Sequence, residues 1–207
     1  VVVAPGGVPQ TPPLQAGDDL VVSSWDIMAG SVKPAASVLL YDDNGGHQGM
    51  GAAELIANAG AKLELVSPER FFAPEMGGMN HVPYMRAFHE KGVTITINTR
   101  LKAVRREGNR LVATLGSDFA EGWSAERQVD QVVVEHGTAP LDDLYLALKP
   151  LSKNLGAVDY ERLVRGGDIF PERNPDGAFI VYRIGDAVAS RNIHAAIYDA
   201  IRFGIRL

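Results

Sequence analysis

Residues 38–66 decide the fold, and they read VLLYDDNGGHQGMGAAELIANAGAKLELV. An apolar run over residues 37–43 leads into glycines, an alanine-rich segment over 47–59 follows, and a second apolar run spans Lys62–Val66. Apolar runs of about four to eight residues bounded by glycine are typical of buried strands, whereas the longer middle segment has the length of a helix. Gly60 stands where a helix-ending glycine is expected. The stretch therefore predicts a strand–helix–strand unit.

The turn between the first strand and the helix matches most of the G-x-G-x-x-G fingerprint of dinucleotide-binding units. Its three positions fall on Asn44, Gly46 and Gly49. In the fingerprint the second glycine lets the backbone approach a pyrophosphate, and the third lets the helix pack against the strand. After glycine, asparagine is among the residues that adopt left-handed backbone most readily. We therefore expect Asn44 to make the turn in place of the first glycine.

Two acids stand beside the position that a nucleotide's phosphates would take. Asp42 and Asp43 end the first strand, and their carboxylates would repel an anion that the helix N-terminus otherwise attracts. The second strand should end in an acid that binds the ribose, but here it ends in Ser67, with Arg70 close behind. A serine with a nearby arginine suits a 2′-phosphate, and it equally suits a plain turn. The pattern therefore predicts the fold of a dinucleotide-binding unit. It also predicts that NAD(P) does not bind tightly there.

The rest of the chain continues to alternate between strands and helices. Loop 67–80 (SPERFFAPEMGGMN) is interpreted either as a lid over the nucleotide site or as an ordinary loop packed on the core. After it we predict a helix over 81–91, a strand over 93–98, a hairpin over 100–116 turning at 107–109, a strand within 128–137, a helix over 141–148 with Asp142 and Asp143 at its N-cap, a strand over 178–186 and a last helix from Asn192. This order predicts an α/β fold, in which a parallel sheet carries a small antiparallel layer.

Composition narrows the functional classes. The net charge of -5 gives no electrostatic reason to expect nucleic acid or an anionic membrane as a partner. The chain has no cysteine, so disulfides, thiolate catalysis and cysteine-ligated clusters are excluded within these residues. No apolar run approaches the length of a membrane span, and the five histidines lack a spacing that suits a metal. A cytoplasmic protein without a metal site in this segment is expected.

Residues 178–204 carry a second informative pattern, AFIVYRIGDAVASRNIHAAIYDAIRFG. A strand ends at Gly185 and Asp186, and a helix of the form AIxDAxxxG follows. This resembles the second flavin-binding motif of flavoproteins that have two dinucleotide-binding domains. VVVAPGGVPQTPPLQAG, at 1–17, is similar to their first crossover strand. VDQVVVEHGTAPLDDLY, at 129–145, is similar to the returning strand, with Glu135 and His136 in place of the usual small residues.

Together these motifs, which extend over essentially the whole chain, resemble the C-terminal half of the trimethylamine dehydrogenase / 2,4-dienoyl-CoA reductase (NADH:flavin oxidoreductase) family. Members carry an N-terminal flavin barrel with FMN and a 4Fe–4S cluster, followed by two Rossmann-like domains. The resemblance implies that this chain is a fragment. Residues 1–30 would be a crossover segment of a truncated FAD-like domain, 31–140 a Rossmann-like NAD(P)-type domain, and 141–207 the C-terminal part of the FAD-like domain.

The resemblance also implies where cofactors bind. FAD or ADP would lie at the motif of Gly185 and Asp186 in the full-length protein, with Asp186 against the ribityl or diphosphate portion. The helix N-terminus that follows would face the same ligand, and it is opened by Arg191, Asn192 and Ile193. NAD(P) at the other site, formed by Asn44, Gly46, Gly49 and Ser67, is not expected to bind tightly.

Two branches of the family differ in how electrons move. In the dienoyl-CoA reductases they pass from NADPH through FAD, the cluster and FMN to the substrate. In the amine dehydrogenases ADP replaces FAD, and electrons leave to an electron-transfer flavoprotein. The degenerate fingerprint favours the second branch, hence an oxidoreductase for N-methylated amines or betaines. The alternatives are an NAD(P)H-dependent enoate reductase and a non-catalytic scaffold.

The segment shows no convincing catalytic residue, so it is expected to be inactive alone. Its expected partners are the flavin barrel of the same polypeptide, an electron-transfer flavoprotein and, at full length, further copies of itself.

Overall fold

A computed structural model describes residues 1–205, which divide into two compact units. Pro9–Gly137 form one unit, and Val1–Val8 together with the chain from Thr138 onward form the other. The strands are β1 (Val2–Val3), β2 (Gly7–Pro9), β3 (Val21–Ser23), β4 (Ser37–Asp42), β5 (Lys62–Val66), β6 (Thr94–Thr96), β7 (Arg100–Glu107), β8 (Arg110–Gly116), β9 (Ser124–Val129), β10 (Gln131–Glu135), β11 (Thr138–Pro140) and β12 (Tyr182–Arg183). The helices are α1 (Ser24–Met28), α2 (His47–Asn58), α3 (Gly78–Lys91), α4 (Asp143–Leu148), α5 (Tyr160–Arg165) and α6 (Ile193–Gly204).

The Pro9–Gly137 unit is built on a five-stranded parallel sheet in the order β3-β10-β4-β5-β6. β4 lies parallel to β5, and Val38 pairs with Leu63. The helix α2 connects them, as predicted, and Gly60 follows it with a φ of 88°. Both short apolar runs are therefore neighbouring strands of one crossover unit.

The sheet is covered on both faces, which explains why its strands are continuously apolar. Val38 and Leu40 point to the helical side, where they pack with residues of α1, α2 and α3. Leu39 and Tyr41 point the other way and pack against the antiparallel sheet β7-β8-β9. Because side chains alternate along a strand, the next residue, Asp42, belongs to the helical side.

The antiparallel layer has one strand more than predicted. The hairpin β7–β8 closes with Glu107 opposite Arg110, which confirms the predicted turn. A third strand, β9, pairs with β8 and was not predicted. Its exposed face carries the polar side chains of Ser124, Glu126 and Gln128, and Glu126 bonds Arg105 at 2.7 Å. The strand therefore lacks the apolar run by which the other strands were found.

Two helix N-termini differ from the predictions. α3 begins at Gly78, three residues before the predicted start, because the N–H groups of Asn80 and His81 both donate to Gly77 O and wind an earlier first turn. At the start of α4, Asp142 occupies the N-cap position as predicted, but its carboxylate pairs with Arg183 instead of capping the helix.

The second unit carries shorter elements. β1 lies parallel to β12, with Val2 opposite Tyr182, and β2 pairs with β11. Of the strand predicted over 178–186, only Tyr182–Arg183 joins a ladder. α6 begins after Asn192, whose Oδ1 accepts a hydrogen bond from Ala195 N at 2.9 Å, as the sequence predicts. Within residues 1–205, every helix is too short or too polar to cross a membrane.

Two glycines of α2 provide a matched test of this packing. A Cβ added at Gly49 would lie 2.3 Å from Asp42 Oδ2, whereas one added at Gly51 would meet Met28 Cε at an ordinary 3.5 Å. We expect Gly49→Ala to destabilise the fold by about 1–3 kcal/mol because the buried carboxylate must shift. Gly51→Ala should stabilise it by about 0.5–1 kcal/mol because it removes a helical glycine. Urea unfolding of both variants tests this, and equal stabilities would contradict the packing described.

Candidate functional site

The parallel sheet has a topological switch point between β4 and β10. The strands that follow β4 in sequence, β5 and β6, lie on one side of it, and β10 lies on the other. In open α/β sheets ligands bind outside the carboxyl ends of the strands at such a point. Here those ends carry Asp42 and Glu135, which are neighbours in register. We call residues 42–46 and 135–137 the switch-point edge.

Glu135 bridges the gap between the two strands. Its side chain is 1% exposed, and it accepts a hydrogen bond from Gly137 N at 2.8 Å and another from Asn44 Nδ2 at 3.3 Å. Ser24 Oγ, at the start of α1, also donates to it. The carboxylate thus ties α1, the loop after β4 and the loop after β10 together across the crevice.

The Asp42 side chain bonds to the backbone of the loop that follows β4. Its side chain is 2% exposed, and Oδ1 accepts the backbone N–H groups of Asn44 at 2.9 Å and Gly45 at 2.8 Å. Backbone N–H groups in loops of this kind are the groups that bind phosphate oxygens. In this protein the Asp42 carboxylate already accepts hydrogen bonds from two of these N–H groups.

The buried position changes the acidity of Asp42. Burial raises the pKa of its carboxyl to about 7, and the negative charges of Glu135 and Asp43 add to the effect, while the bonds from Gly45 and Asn44 oppose it. The carboxyl is therefore close to its midpoint of titration near neutral pH.

Asp43 and His136 form a third contact at the same edge. The carboxylate of Asp43 lies 3.0 Å from His136 Nδ1, and the imidazole packs edge-on against Tyr41 at 5.7 Å between ring centroids. Three carboxylates, those of Asp42, Asp43 and Glu135, therefore belong to this edge. A diphosphate bound here would face negative charge, which disfavours it.

The turn at the fingerprint differs from the prediction for its first position. Gly45, with a φ of 69°, is the left-handed residue, and Asn44 is not. The Asn44 side chain instead bonds to Glu135. Gly46 has a φ of -106°, and an added Cβ would meet Gln48 Oε1 at 2.8 Å, the end of a flexible side chain. Asn44, Gly46 and Gly49 do come together around one loop, and their role toward a nucleotide stays a prediction.

Ser67 lies at the carboxyl end of β5, where a ribose-binding acid was expected. It is fully buried, and its Oγ accepts a hydrogen bond from Glu69 N at 3.3 Å. The Arg70 guanidinium lies over the Phe71 ring, 5.4 Å from its centroid. Of the two interpretations offered by the sequence, this geometry corresponds to the plain turn.

The second unit holds the other predicted cluster. Gly185, with a φ of 63°, donates its N–H to Asp199 Oδ2 at 3.2 Å. Arg191 pairs with the same carboxylate, and its backbone N–H lies 3.4 Å from Asp186 Oδ1. Asp199 was not among the residues predicted from the sequence. The available signal was an acid within the AIxDAxxxG pattern of an otherwise apolar helix.

The groups around Gly185 fit a nucleotide diphosphate. Arg191 is exposed, and it stands just before the N-terminus of α6, where a helix dipole favours anions. Asp186 is partly exposed and can accept hydrogen bonds from sugar hydroxyls. Asn192 caps the helix, and the side chain of Ile193 points into solvent. The individual roles of these residues toward a cofactor stay predictions.

Residues that could bind a metal ion are not clustered in the described part of the chain. Across residues 1–205, no three His, Cys, Asp or Glu side chains are grouped so that they could hold a metal ion.

Comparison with known proteins finds two relatives whose names specify N-methylated amines, and the chain resembles a part of each. No family model matches it. It is 52% identical over 202 residues to a probable N-methylproline demethylase from Rhizobium meliloti, covering 98% of this chain and 30% of that protein. It is 41% identical over 216 aligned positions to an N,N-dimethylglycine/sarcosine dehydrogenase from Chromohalobacter salexigens, again covering 98% of this chain and 30% of that protein. The chain therefore spans about a third of the length of these curated relatives.

Solved structures agree on the fold. Histamine dehydrogenase from Rhizobium sp. 4-9 superimposes with a TM-score of 0.73 at 22% identity, covering 100% of this chain and 30% of that one. A flavoprotein disulfide reductase from Escherichia coli superimposes with a TM-score of 0.62 at 19% identity, covering 96% of this chain and 42% of that one. At such low identity these likenesses show the architecture alone.

The raised pKa of Asp42 predicts how stability depends on pH. Because the folded-state pKa of about 7 lies above the ordinary 3.8, folding favours the protonated carboxyl. The resulting stabilisation is fully present below the ordinary value and is lost as pH rises through 7. Asp42→Asn keeps an acceptor oxygen for the loop N–H groups and removes the ionisation. Relative to this variant, the wild type should lose on the order of a few kcal/mol of unfolding free energy between acid and mildly alkaline pH.

Urea denaturation of both proteins at about pH 4.5 and about pH 8 measures the difference. The Asn variant should be the more stable protein only at the higher pH. A difference that is the same at both pH values would show that the ionisation of Asp42 is not linked to folding.

Proposed function

We propose that this chain, which belongs to the trimethylamine dehydrogenase / 2,4-dienoyl-CoA reductase family, is the dinucleotide-binding part of a flavin oxidoreductase for N-methylated amino acids. The two curated relatives support this substrate class, because their names specify N-methylproline and dimethylglycine or sarcosine. Both substrates carry an N-methyl group beside a carboxylate, so an N-methylated amino acid is the shared chemistry.

The choice between the amine dehydrogenases and the enoate reductases of the family rests on one observation, the hydrogen bonds across the switch-point edge. An enzyme that draws electrons from NAD(P)H needs an open dinucleotide groove in this unit. Here Glu135 and Asn44 bond across the crevice, and Asp42 takes two N–H groups of the loop. An oxidoreductase that is reduced by its amine substrate has no need of that groove. The geometry therefore favours amine oxidation over NAD(P)H-dependent enoate reduction.

The cofactor of this segment would lie at Gly185. The relatives and structural neighbours support a flavin protein in general, and we propose FAD or ADP for this site. Arg191 and the N-terminus of α6 would hold the diphosphate, and Asp186 would accept a sugar hydroxyl. Asp199 would position both Gly185 and Arg191. A flavin bound in the full-length protein would accept the electrons that amine oxidation releases.

The reaction itself is proposed to occur elsewhere in a longer polypeptide. Among residues 1–205 we assign no acid, base or nucleophile to the amine chemistry. A barrel with FMN and a 4Fe–4S cluster would supply it, and an electron-transfer flavoprotein in the cytoplasm would receive the electrons. A homo-oligomer of the full-length chain belongs to the same proposal.

Anaerobic reduction of the full-length protein tests the proposal. N-methylproline, dimethylglycine or sarcosine should bleach the flavin absorbance, because oxidation of the N-methyl group to an iminium ion would pass a hydride to the flavin of the full-length protein. Water then releases formaldehyde, which should appear at about one equivalent per flavin. Proline and glycine, which lack the N-methyl group, are the matched controls and should leave the spectrum unchanged.

Two results would contradict the proposal in different ways. Reduction by NADPH together with inertness toward all three amines would assign the protein to the enoate reductases. A full-length protein that purifies without flavin, and takes none up, would identify a scaffold.

A further inference from the structure

Residues 68–77 connect β5 to α3, and we call this segment the strap. We infer that the strap occupies the adenosine side of the dinucleotide groove in the Pro9–Gly137 unit, so that this side is closed by the chain itself and opens only when the strap is released. The inference concerns this unit alone and stands whether or not the proposed amine chemistry is right.

The strap lies directly on the glycine loop. Glu75 donates its backbone N–H to Gly45 O at 3.1 Å. The ring of Pro74 lies so close that a Cβ added at Gly45 would be 2.6 Å from Pro74 Cδ. Gly45 is buried as a result. The backbone surface that a dinucleotide would approach is therefore covered by the strap.

The strap also contacts the position at which a ribose would be held, because Glu69 N donates to Ser67 Oγ at 3.3 Å. In dinucleotide-binding units the residue at the end of the second strand contacts the ribose. Here that residue is Ser67, whose exposure is 0%. Its carbonyl accepts a hydrogen bond from Thr99 N at 3.0 Å, and the carbonyl of Glu69 accepts one from Asn98 N at 3.0 Å. The start of the strap is thus fixed to the segment that follows β6.

Apolar side chains anchor the middle of the strap. Phe72, Ala73 and Met76 are buried in the core cluster on the helical side of the sheet. The Phe72 ring packs edge-on against Phe88, 5.9 Å between centroids. The neighbouring Phe71, by contrast, is 50% exposed. Burial of these three side chains therefore anchors the strap to the core.

The backbone at Ala73 is strained. Its φ of 49° lies in the left-handed region, which a residue with a Cβ adopts at a cost. Such a conformation persists only where the surroundings enforce it. The buried side chains on both sides and the bond from Glu75 to Gly45 provide that enforcement. A strained, anchored segment over a ligand groove has the form of an autoinhibitory contact.

A thiol-labelling experiment reports whether the strap is closed. The natural chain has no cysteine, so a single introduced thiol is unique. We expect Met76→Cys to react with a soluble disulfide reagent roughly 100-fold more slowly than Phe71→Cys, because the thiol at 76 is reached only when the strap opens. Equal labelling rates at the two positions would overturn the inference.

A release variant tests what the strap covers. Phe72→Ser with Met76→Ser removes two anchors, and Phe71→Ser is the matched control at an exposed phenylalanine. Adenosine is the probe, because it lacks the phosphates that Asp42 and Asp43 would repel. Saturation-transfer NMR should detect adenosine on the release variant, and not on the wild type or on the control. The inference would be overturned by a folded release variant that does not bind adenosine, or by a wild type that does.

If the release variant does not fold, the labelled protein gives the answer instead. Adenosine that binds the open state should accelerate labelling of Met76→Cys by trapping that state. Labelling that is unchanged up to the solubility limit of adenosine would equally overturn the inference.

Discussion

The hydrogen bonds of one buried carboxylate, Glu135, hold the switch-point edge closed. A carboxylate that is 1% exposed is costly unless donors surround it. The donors come from three separate places: Ser24 on α1, Asn44 in the loop after β4, and the backbone N–H of Gly137. Because each donor belongs to a different segment, the charge of Glu135 fixes the relative positions of all three. At the crevice that a dinucleotide would approach, these polar groups therefore bond to one another.

The same strand–glycine–helix arrangement is used twice in the chain with opposite chemistry. At the end of β4 the loop faces carboxylates, and Asp42 accepts the N–H groups that a phosphate would use. After β12 the turn at Gly185 leads to the exposed Arg191 and the N-terminus of α6, which suit an anion. A common fold therefore does not imply a common ligand. We propose that in this protein the side chains at the strand ends decide which copy is able to hold a diphosphate.

Local pattern was enough to predict β4, α2 and β5, because apolar runs and a helix-ending glycine are properties of short segments. It also placed Asp42 and Asp43 beside the loop. It did not show that Asp42 is buried beneath Gly49, or that Gly45 takes the left-handed turn in place of Asn44. The side chain of Asn44 bonds instead to Glu135, which lies far from the loop in sequence and pairs with β4 only in the folded sheet. The sequence marked Glu135 as unusual without indicating its partners.

Asp199 and β9 were missed for related reasons. Asp199 acquires its role only when α6 packs back on Gly185, and β9 acquires its place only beside β8. Both are consequences of tertiary pairing, which local propensity does not encode.

Calorimetric titration of the chain with NADPH at about pH 8, where the Asp42 carboxyl is mostly ionised, tests the central claim most directly. We expect no saturable binding up to about 1 mM, because Glu135 bonds across the crevice and Asp42 takes the N–H groups of its loop. One-to-one binding with a dissociation constant of about 10 µM or below would contradict the account, since it would show that the groove is open.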